Sequence, residues 1–312
     1  MGKHIAPAVY YLEVHLLFAS IVCLAAWLLT SLWRGGYTAK YWIWVATVVN
    51  FLVPFSGFFN GFGAARLPWA TQLGGLDEVG FEVSRNLSAG AVLLGVWLCG
   101  AALMGARLAV RLPRDLRNER TQGSRSATRF GRFSIALGVP VSLSAAGEGP
   151  SVAGLLRPHI SLPRGIDRLL TRRELDAVLI HEAAHARRRD NLIGLVHEIA
   201  LCGLWFHPLV WLTGSRLAMF RELSCDEAVI ESSRGPDMVT ALAKLADPGK
   251  SRPLRAGAAT LFRHRLAHLK TSRTHSASRA AIVALIAIYG TVLVACMVET
   301  IAHTSCCFNF AI

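Results

Sequence analysis

Long runs of apolar residues dominate the chain, and four of them are long enough to cross a bilayer as helices. They cover residues 8–33, 41–59, 86–110 and 281–302. A helix needs about 20 apolar residues to span the hydrocarbon core, because each residue advances it by about 1.5 Å. The pattern therefore predicts a polytopic α-helical membrane protein with about four transmembrane helices.

The first apolar run has a second interpretation, a cleaved signal peptide. The run is long, no small-residue cleavage site follows it, and further apolar runs come later, which favours a retained span. Glu13 and His15 lie near its start. We expect these two side chains at the membrane interface or in the bundle interior, since exposing them to lipid is costly.

Between the third and fourth runs the sequence has the texture of a globular domain. Residues 133–164 are rich in β-branched and small residues interrupted by Gly and Pro, which predicts a few short strands and turns. A helix is predicted from Thr171, because Thr171 and Glu174 have the spacing of a capping box and apolar residues follow at helical intervals. The predicted regions are a three-span region 1–110, a domain 111–280, and a last span with a short tail 281–312.

Composition and charge favour a membrane setting over nucleic-acid binding. Charged residues make up 17% of the chain, below the roughly one quarter typical of soluble domains. The net charge of +13 resides between Arg107 and Arg279, where 28 basic residues accompany 15 acidic ones. The basic stretches 107–132 and 250–279 adjoin predicted spans and do not alternate with aromatic side chains that could stack on bases. Attraction to anionic headgroups of the lipid bilayer is the preferred interpretation, and no direct nucleic-acid binding is expected.

The charges of the short loops predict the orientation in the membrane. Arg34 and Lys40 flank the first turn, the loop 60–85 carries more acidic than basic residues, and the third loop begins with a series of arginines. Lys and Arg close to the ends of spans favour the cytoplasm. We therefore expect a multi-pass protein of the inner (plasma) membrane, with its N-terminus outside and the domain 111–280 on the cytoplasmic side.

The seven cysteines do not suggest a disulfide framework. They are scattered without paired spacing, and five of them lie in apolar or helical stretches. Only Cys306 and Cys307 are adjacent, at the predicted outer end. Sensing of oxidants or metals by this pair stays open beside the simpler interpretation of two ordinary tail cysteines.

The clearest chemical signal lies on the helix predicted from Thr171. His181, Glu182 and His185 form the pattern HExxH. Positions four apart share a face of a helix, so both imidazoles can reach one zinc ion while Glu182 takes a proton from the attacking water. This composition gives only about 0.015 chance matches to the pattern. A surface helix with two solvated histidines is the alternative, and the pattern favours a zinc site.

A catalytic zinc with two His ligands needs a third protein ligand and an open position. Glu222 and Asp226 lie four residues apart on a later helical stretch, and they therefore share a face. Glu222 is the predicted third ligand, and Asp226 is placed to accept a hydrogen bond from the outer nitrogen of a ligating histidine. The alternative is a solvated acidic face balanced by Arg216 and Arg221.

The apolar segment 191–213 cannot be an ordinary span if the zinc site exists. Crossing the membrane would separate Glu222 from the two histidines, so we expect a buried or partly membrane-inserted helix that turns back at His207 and Pro208.

Peptide hydrolysis also needs a donor for the developing oxyanion, and residues 107–280 contain no Tyr. His197, His207, an arginine, a backbone N–H or the zinc itself are the candidates; the alternative for both histidines is a packing role.

Three segments of this region resemble the peptidase core of the BlaR/MecR-type membrane metallopeptidases. They read HEAAHARRRD, WFHPLVW and RELSCDEAV, and the similarity extends over about residues 131–232. The resemblance implies a mainly helical α+β, zincin-like core with zinc as cofactor. It implies His181, His185 and Glu222 as zinc ligands and Glu182 as the catalytic base. The family's two aspartates correspond to Asp190 and Asp226, and for Asp190 a helix-end cap or a partner of Arg187 to Arg189 is the alternative.

The same resemblance implies a zinc metalloendopeptidase in signal transduction, related to the regulation of antibiotic responses. Its expected substrate is a cytoplasmic DNA-binding repressor, and the stretch 247–259 is a candidate for self-cleavage. Nothing in the sequence is similar to the penicillin-binding domain of the family's antibiotic sensors, so direct β-lactam sensing is not expected. A membrane quality-control metalloprotease and a signalling scaffold with structural zinc stay open as alternatives. The stimulus, the cleavage point and the formation of a homodimer are not determined by the sequence.

Overall fold

The computed structural model describes residues 5–33, 35–53, 87–122, 138–144, 149–246 and 256–271, and these residues are mainly helical. The helices, in chain order, are α1 (Ile5–Leu32), α2 (Tyr37–Leu52), α3 (Leu87–Gln122), α4 (Ile166–Leu169), α5 (Arg172–Arg188), α6 (Asp190–Leu204), α7 (Pro208–Glu231), α8 (Gly235–Leu245) and α9 (Ala256–Thr271). The strands are β1 (Val141–Ser144), β2 (Ser151–Ala153) and β3 (His159–Pro163). The predicted span 281–302, the loop 60–85, most of the stretch 247–259 and the pair Cys306 and Cys307 lie outside the described residues.

Two helices in the described part of the chain are long and apolar enough to cross a membrane. The apolar windows are His15–Leu32 in α1 and Ala91–Leu112 in α3. Helix α2 has 16 residues, and the second half of the run 41–59 lies beyond the described residues. Length and composition therefore support two membrane helices here, where the sequence predicted about four in the whole chain. His15 is buried and its Nε2 lies 3.3 Å from the carbonyl oxygen of Phe51, which places it in the bundle interior.

A small mixed sheet forms in the stretch where short strands were predicted. Its strand order is β1-β3-β2; β1 pairs with β3 in parallel, and β2 pairs with β3 in antiparallel register. The central strand β3 is almost completely buried. Ile160 and Leu162 on β3 pack with Val178 and Leu179 of α5 in one hydrophobic core. The sheet thereby supports the helix that carries the HExxH pattern.

The helix α5 begins with the predicted capping box. The Thr171 hydroxyl accepts a hydrogen bond from the Glu174 backbone N–H, and the Glu174 carboxylate accepts one from the Thr171 backbone N–H. The helix ends at Arg189, whose φ of 56° lies in the left-handed region. This conformation costs a residue with a side chain about 1 to 2 kcal/mol. The chain bends sharply there, and α6 starts at once with Asp190.

Helices α6 and α7 form an antiparallel hairpin among the helices α1, α2 and α3. The chain reverses between Leu204 and Pro208, at the position expected from the sequence, and Pro208 occupies the first turn of α7 where a missing N–H costs little. Tyr41 and Trp44 of α2 pack in one core with Phe220 of α7. The reversal brings the C-terminal half of α7 back beside α5. Association of this hairpin with the membrane stays a prediction.

Candidate metal centre

Both histidines of the HExxH pattern face one point beside α5. Their Nε2 atoms lie 3.1 Å apart, and both side chains are nearly buried. This closeness follows from their spacing, because residues four apart stack on one face of a helix. The two nitrogens can therefore bind the same ion.

A carboxylate from α7 completes this group of ligand atoms. Glu222 Oε2 lies 3.5 Å from His181 Nε2, and Glu222 Oε1 lies 3.8 Å from His185 Nε2. Glu182 lines the same cavity, which has a volume of about 320 Å³. The structure thus brings together four side chains that the sequence analysis selected, from two helices that are distant in the chain.

The outer nitrogen of each histidine contacts an aspartate. His185 Nδ1 lies 2.6 Å from Asp190 Oδ2, and His181 Nδ1 lies 3.0 Å from Asp226 Oδ1. When each Nδ1–H donates to its aspartate, the lone pairs of both Nε2 atoms face each other and the Glu222 carboxylate. Lone pairs that converge in this way fit a divalent cation, and an oxygen with two imidazole nitrogens is a ligand set typical of catalytic zinc.

Each of these aspartates is held in turn by an arginine that binds both of its carboxylate oxygens. Arg188 donates to Asp190 through Nε at 3.2 Å and Nη2 at 2.7 Å. Arg265 of α9 donates to Asp226 through Nε at 2.9 Å and Nη2 at 2.8 Å. Such paired bonds fix the plane of a carboxylate. They thereby set the direction in which each imidazole points.

The charged side chains around the histidines carry an excess of negative charge, which favours a cation. Four carboxylates are accompanied by three guanidinium groups, one of them the partly exposed Arg221, so one negative charge is left when all are ionised. The groups are Glu182, Glu222, Asp190, Asp226, Arg188, Arg265 and Arg221. The residues of the site therefore fit zinc in ligand type, and their net charge has the sign that favours a cation.

The pKa values of the acidic groups reflect these contacts. Burial alone would raise the pKa of Glu222, but its hydrogen bond with His181 and nearby positive charges hold it well below the usual value. Hydrogen bonds with His181 and Arg265 likewise outweigh burial and lower the pKa of Asp226. Glu182 differs, because burial raises its pKa above that of an exposed glutamate. A higher pKa makes Glu182 a better proton acceptor than the other carboxylates of the site.

Helix α2 reaches the site through a tyrosine. The Tyr41 hydroxyl donates a hydrogen bond to Asp190 Oδ1 at 2.6 Å, and the Arg188 guanidinium lies 4.5 Å from the centre of the Tyr41 ring. A continuous series of contacts thus runs from α2 through Asp190 to His185.

A cysteine near the histidines offers a second possible ligand set. The Cys225 Sγ lies with ligand atoms of His181 and His185 in a group whose members are within 4.8 Å of one another. Cys225 is completely buried, accepts a hydrogen bond from Arg188, and does not line the cavity. Glu222 does line it. Since a catalytic zinc needs an open position, the set with Glu222 fits hydrolysis better.

The two histidines predicted as oxyanion donors lie elsewhere. His197 Nε2 contacts the carbonyl oxygen of Val210 at 3.0 Å, and His207 Nε2 contacts the Ser20 hydroxyl at 3.1 Å, close to the reversal of the hairpin. Neither lines the cavity beside Glu182. Their contacts are those of packing histidines, which was the alternative interpretation. The role of oxyanion donor is therefore not assigned to them.

Three residues of the site were missed or only touched on by the sequence analysis. The sequence offered Arg187, Arg188 and Arg189 as partners of Asp190, and in the structure Arg188 binds it. Arg265 lies in the basic stretch 250–279 that was assigned to lipid headgroups, yet its side chain is only 13% exposed and points inward. Tyr41 opens an apolar run. No pattern in the sequence distinguishes these residues from their neighbours.

Comparison with known proteins supports the resemblance. The model of the BlaR1 peptidase M56 family matches residues 77–236, which is more than half of the chain. The regulatory protein BlaR1 of Bacillus licheniformis is 35% identical over 94 residues, 30% of this chain and 16% of that protein. The methicillin resistance mecR1 protein of Staphylococcus aureus is 24% identical over 114 residues, 36% of this chain and 19% of that protein.

The shared segments thus cover less than a fifth of the length of either relative. The family match is broader along this chain, since it includes the whole of α5, which carries the HExxH pattern, and the whole of α7, which carries Glu222. The chain therefore belongs to the BlaR1 peptidase M56 family.

Proposed function

We propose that this protein is a membrane-embedded zinc metalloendopeptidase with His181, His185 and Glu222 as zinc ligands. The observation that carries this proposal is the convergence of two Nε2 atoms and one carboxylate beside Glu182 in a single cavity. Asp190 and Asp226 support it, because each holds the outer nitrogen of one histidine. The mainly helical domain around the site is proposed to be zincin-like.

Zinc in this position supplies Lewis acidity, which acidifies water and polarises a peptide carbonyl. Glu182 takes the proton of the attacking water and transfers it to the amine nitrogen as the peptide bond breaks. Its buried position suits this double role, because burial raises its pKa above that of an exposed glutamate. His181 and His185 keep their orientation through their aspartates, so the ligand atoms need little rearrangement.

The proposed setting is a multi-pass protein of the inner membrane with about four spans and the domain 111–280 facing the cytoplasm. Its proposed substrate is a cytoplasmic DNA-binding repressor, with self-cleavage as a second reaction. The names of the relatives, a regulatory protein and a methicillin resistance protein, agree with a role in signalling in response to antibiotics. The link from α2 to Asp190 offers a route by which membrane helices could affect the site.

The test is zinc content and proteolysis measured on the same detergent-purified samples. We expect about one zinc per chain in the wild type and loss of zinc in His181→Ala and Glu222→Gln. Glu182→Gln is expected to keep zinc and to lose cleavage of itself and of β-casein, an unstructured probe substrate. Glu231→Gln changes an exposed glutamate of the same helix α7 and serves as the control.

Each contrary outcome has a distinct meaning. Wild-type protein without stoichiometric zinc would contradict the metal site. Zinc retained in Glu222→Gln but lost in Cys225→Ser would place the third ligand at Cys225. Zinc bound as expected, with cleavage unaffected in Glu182→Gln or absent in the wild type, would favour a scaffold with structural zinc. Accumulation of many damaged membrane proteins in cells that carry Glu182→Gln would favour quality control over a single repressor.

A further inference from the structure

The proposed peptide hydrolysis places negative charge on the carbonyl oxygen of the scissile bond, and this oxygen needs a hydrogen-bond donor. Apart from the proposed ligands, the described side chains with nitrogen donors on the cavity are Asn191, Arg221 and Arg265. The Asn191 amide already donates to the carbonyl oxygens of Val152 and Gly154, at 3.1 and 3.0 Å. Among these side-chain nitrogen donors, the two arginines are left as candidates.

Arg265 is fixed in a position beside the ligand atoms. Its Nε and Nη2 bind the two oxygens of Asp226, which is completely buried. This orientation directs Nη1 to the other side, where it lies 3.3 Å from Glu222 Oε2. Nη2 also lies 3.3 Å from His181 Nε2. The guanidinium is therefore held next to the atoms proposed to bind the metal.

The comparison with Arg188 shows what is particular to Arg265. Arg188 binds Asp190 through two hydrogen bonds in the same way. Its other contacts are to the Ser224 hydroxyl, the Arg221 carbonyl oxygen and Cys225. Arg188 does not line the cavity, whereas Arg265 does. Both arginines bind an aspartate, and of the two only Arg265 also lines the cavity beside Glu222.

Arg221 lies on the other side of Glu222 and is less well fixed. It contacts Glu222 Oε1 through Nη2 at 3.3 Å, and its side chain is 37% exposed. A donor that stabilises an oxyanion acts most strongly when it is preorganised and shielded from water. Arg265, at 13% exposure and with two bonds to Asp226, meets both conditions better.

We propose that Arg265 Nη1 is the donor to the carbonyl oxygen of the scissile peptide bond, an inference that rests on the proposed function. The oxygen of water attacks the carbonyl carbon, and the π electron pair moves onto the carbonyl oxygen, where Arg265 binds it. The pair then returns, the C–N bond breaks, and the amine nitrogen receives the proton held by Glu182. Arg265 keeps its own protons throughout, because a guanidinium does not deprotonate in proteins.

The experiment compares Arg265→Gln and Arg265→Lys with the control Arg263→Gln in full-length protein; Arg263 is an exposed arginine of the same helix α9 that does not line the cavity. Three quantities are measured for each variant. They are the metal content, kcat and KM for cleavage of β-casein, and the affinity of the cobalt-substituted protein for acetohydroxamate. The visible spectrum of the bound cobalt reports acetohydroxamate binding. Acetohydroxamate chelates the metal and presents a carbonyl-type oxygen that Arg265 can bind. The cobalt spectrum without acetohydroxamate reports whether the ligand set is intact.

For Arg265→Gln we expect full metal content and an unchanged cobalt spectrum when the metal is supplied in enough excess to offset the weaker orientation of Asp226 and His181. The value of kcat should fall by about 100- to 1000-fold, the effect typical of losing one oxyanion donor, with KM changed less than about threefold. Acetohydroxamate binding should weaken by about tenfold or more, as for loss of a hydrogen bond to a charged group. Arg265→Lys should show smaller decreases in kcat and in acetohydroxamate affinity, and Arg263→Gln should stay within about threefold of the wild type in all three readouts.

Arg265→Gln leaves Asp226 without its cation and could fail to fold, in which case the Lys variant decides, because it keeps the charge. Loss of metal in both variants would make Arg265 a positioning residue for Asp226 only and would overturn the proposal. Wild-type kcat and acetohydroxamate affinity in a metal-loaded Arg265 variant would overturn it as well. A wild type that binds no metal would instead contradict the proposed function on which this inference rests.

Discussion

Each histidine of the site has its outer nitrogen on an aspartate, and each aspartate is held by an arginine. The two arrangements differ in their surroundings: Asp190 also accepts a hydrogen bond from Tyr41, whereas Asp226 is completely buried with Arg265. An aspartate in this position fixes the tautomer of the imidazole and makes its Nε2 a better ligand. The two aspartates should therefore contribute to metal binding although neither touches the metal.

We expect Asp226→Asn to lower zinc affinity by about 10- to 100-fold, the range found for groups that hold metal-ligating histidines. Asparagine keeps the size of the side chain but removes the charge that Arg265 and His181 contact. Zinc affinity measured by competition with a chelator checks this. Asp237→Asn on α8 removes a carboxylate that pairs with Arg234, away from the cavity, and should bind zinc as the wild type does. Equal affinities for the two variants would contradict the prediction.

For individual residues, the sequence could predict the contacts that follow from spacing along a single helix. His181, Glu182 and His185 are brought together by one turn of α5, and Glu222 and Asp226 share a face of α7 for the same reason. Arg265 reaches the site only because α9 packs on α7 and α8. Nothing in its own stretch of sequence reports that packing, since a basic helix beside a predicted span is also typical of headgroup binding.

Among the elements, α2 has a tight connection to the domain that carries the site. Glu227 of α7 accepts hydrogen bonds from the backbone N–H groups of Tyr37 and Thr38 and from the Thr38 hydroxyl, at 3.0 to 3.1 Å. A carboxylate from another helix thus satisfies the N-terminus of α2, where negative charge is favourable. One turn later Tyr41 contacts Asp190. A displacement of α2 would therefore act on Glu227 of α7 and on Asp190 of α6, the two residues that α2 contacts.

We expect Tyr41→Phe to weaken zinc binding by up to about tenfold, because Asp190 loses one of the groups that orient it toward His185. The ring stays, so the packing of α2 should be preserved. Tyr37→Phe removes a hydroxyl from the same helix without touching Asp190 and is the matched control. Zinc affinity and casein cleavage, measured on both variants, should fall only for Tyr41→Phe. An unchanged zinc affinity in Tyr41→Phe would show that α2 does not contribute to metal binding through Asp190.

The elements themselves were predictable to different degrees. The start of α5 follows from the side chains of Thr171 and Glu174, which bond to its backbone locally, so the sequence was sufficient. The contact of α2 with Asp190 involves residues far apart in the chain. An aromatic residue at the start of an apolar run is also typical of a membrane interface. The sequence therefore predicted α2 as a membrane helix and not its link to the site.

For the whole molecule, the arrangement of apolar surface agrees with a lipid environment around α3. Large apolar side chains on this helix are exposed, among them Val92, Leu93, Leu94, Val96, Leu98 and Leu103. Farther along the same helix Arg107 and Arg111 lie 3.5 and 3.1 Å from Glu198 of α6. These partly exposed ion pairs contribute little stability, and Arg107 is the first charged residue after the apolar stretch that begins α3.

The proposed orientation places residues 60–85 on the outer side of the membrane and the peptidase domain on the cytoplasmic side. An epitope inserted after Gln72 should be accessible to antibody on spheroplasts, whereas one inserted after Pro248 should need permeabilisation of the membrane. Each insertion is first checked for unchanged zinc content in the purified protein. The reverse pattern of accessibility would exclude a cytoplasmic repressor as substrate, and access to both epitopes on unpermeabilised spheroplasts would contradict the predicted number of spans between them.

The order of the residues along the chain also determines when the site can exist during synthesis. Glu222 follows His181 by 41 residues and Arg265 follows Glu222 by 43 residues, whereas α1 and α3 precede all of them. Translation adds about 5 to 20 residues per second, so seconds separate these events. The ribosome therefore completes both candidate membrane helices before it supplies the first proposed ligand. The cavity lacks one of its lining side chains until residue 265 has been synthesised, so the proposed site cannot be complete in a shorter nascent chain.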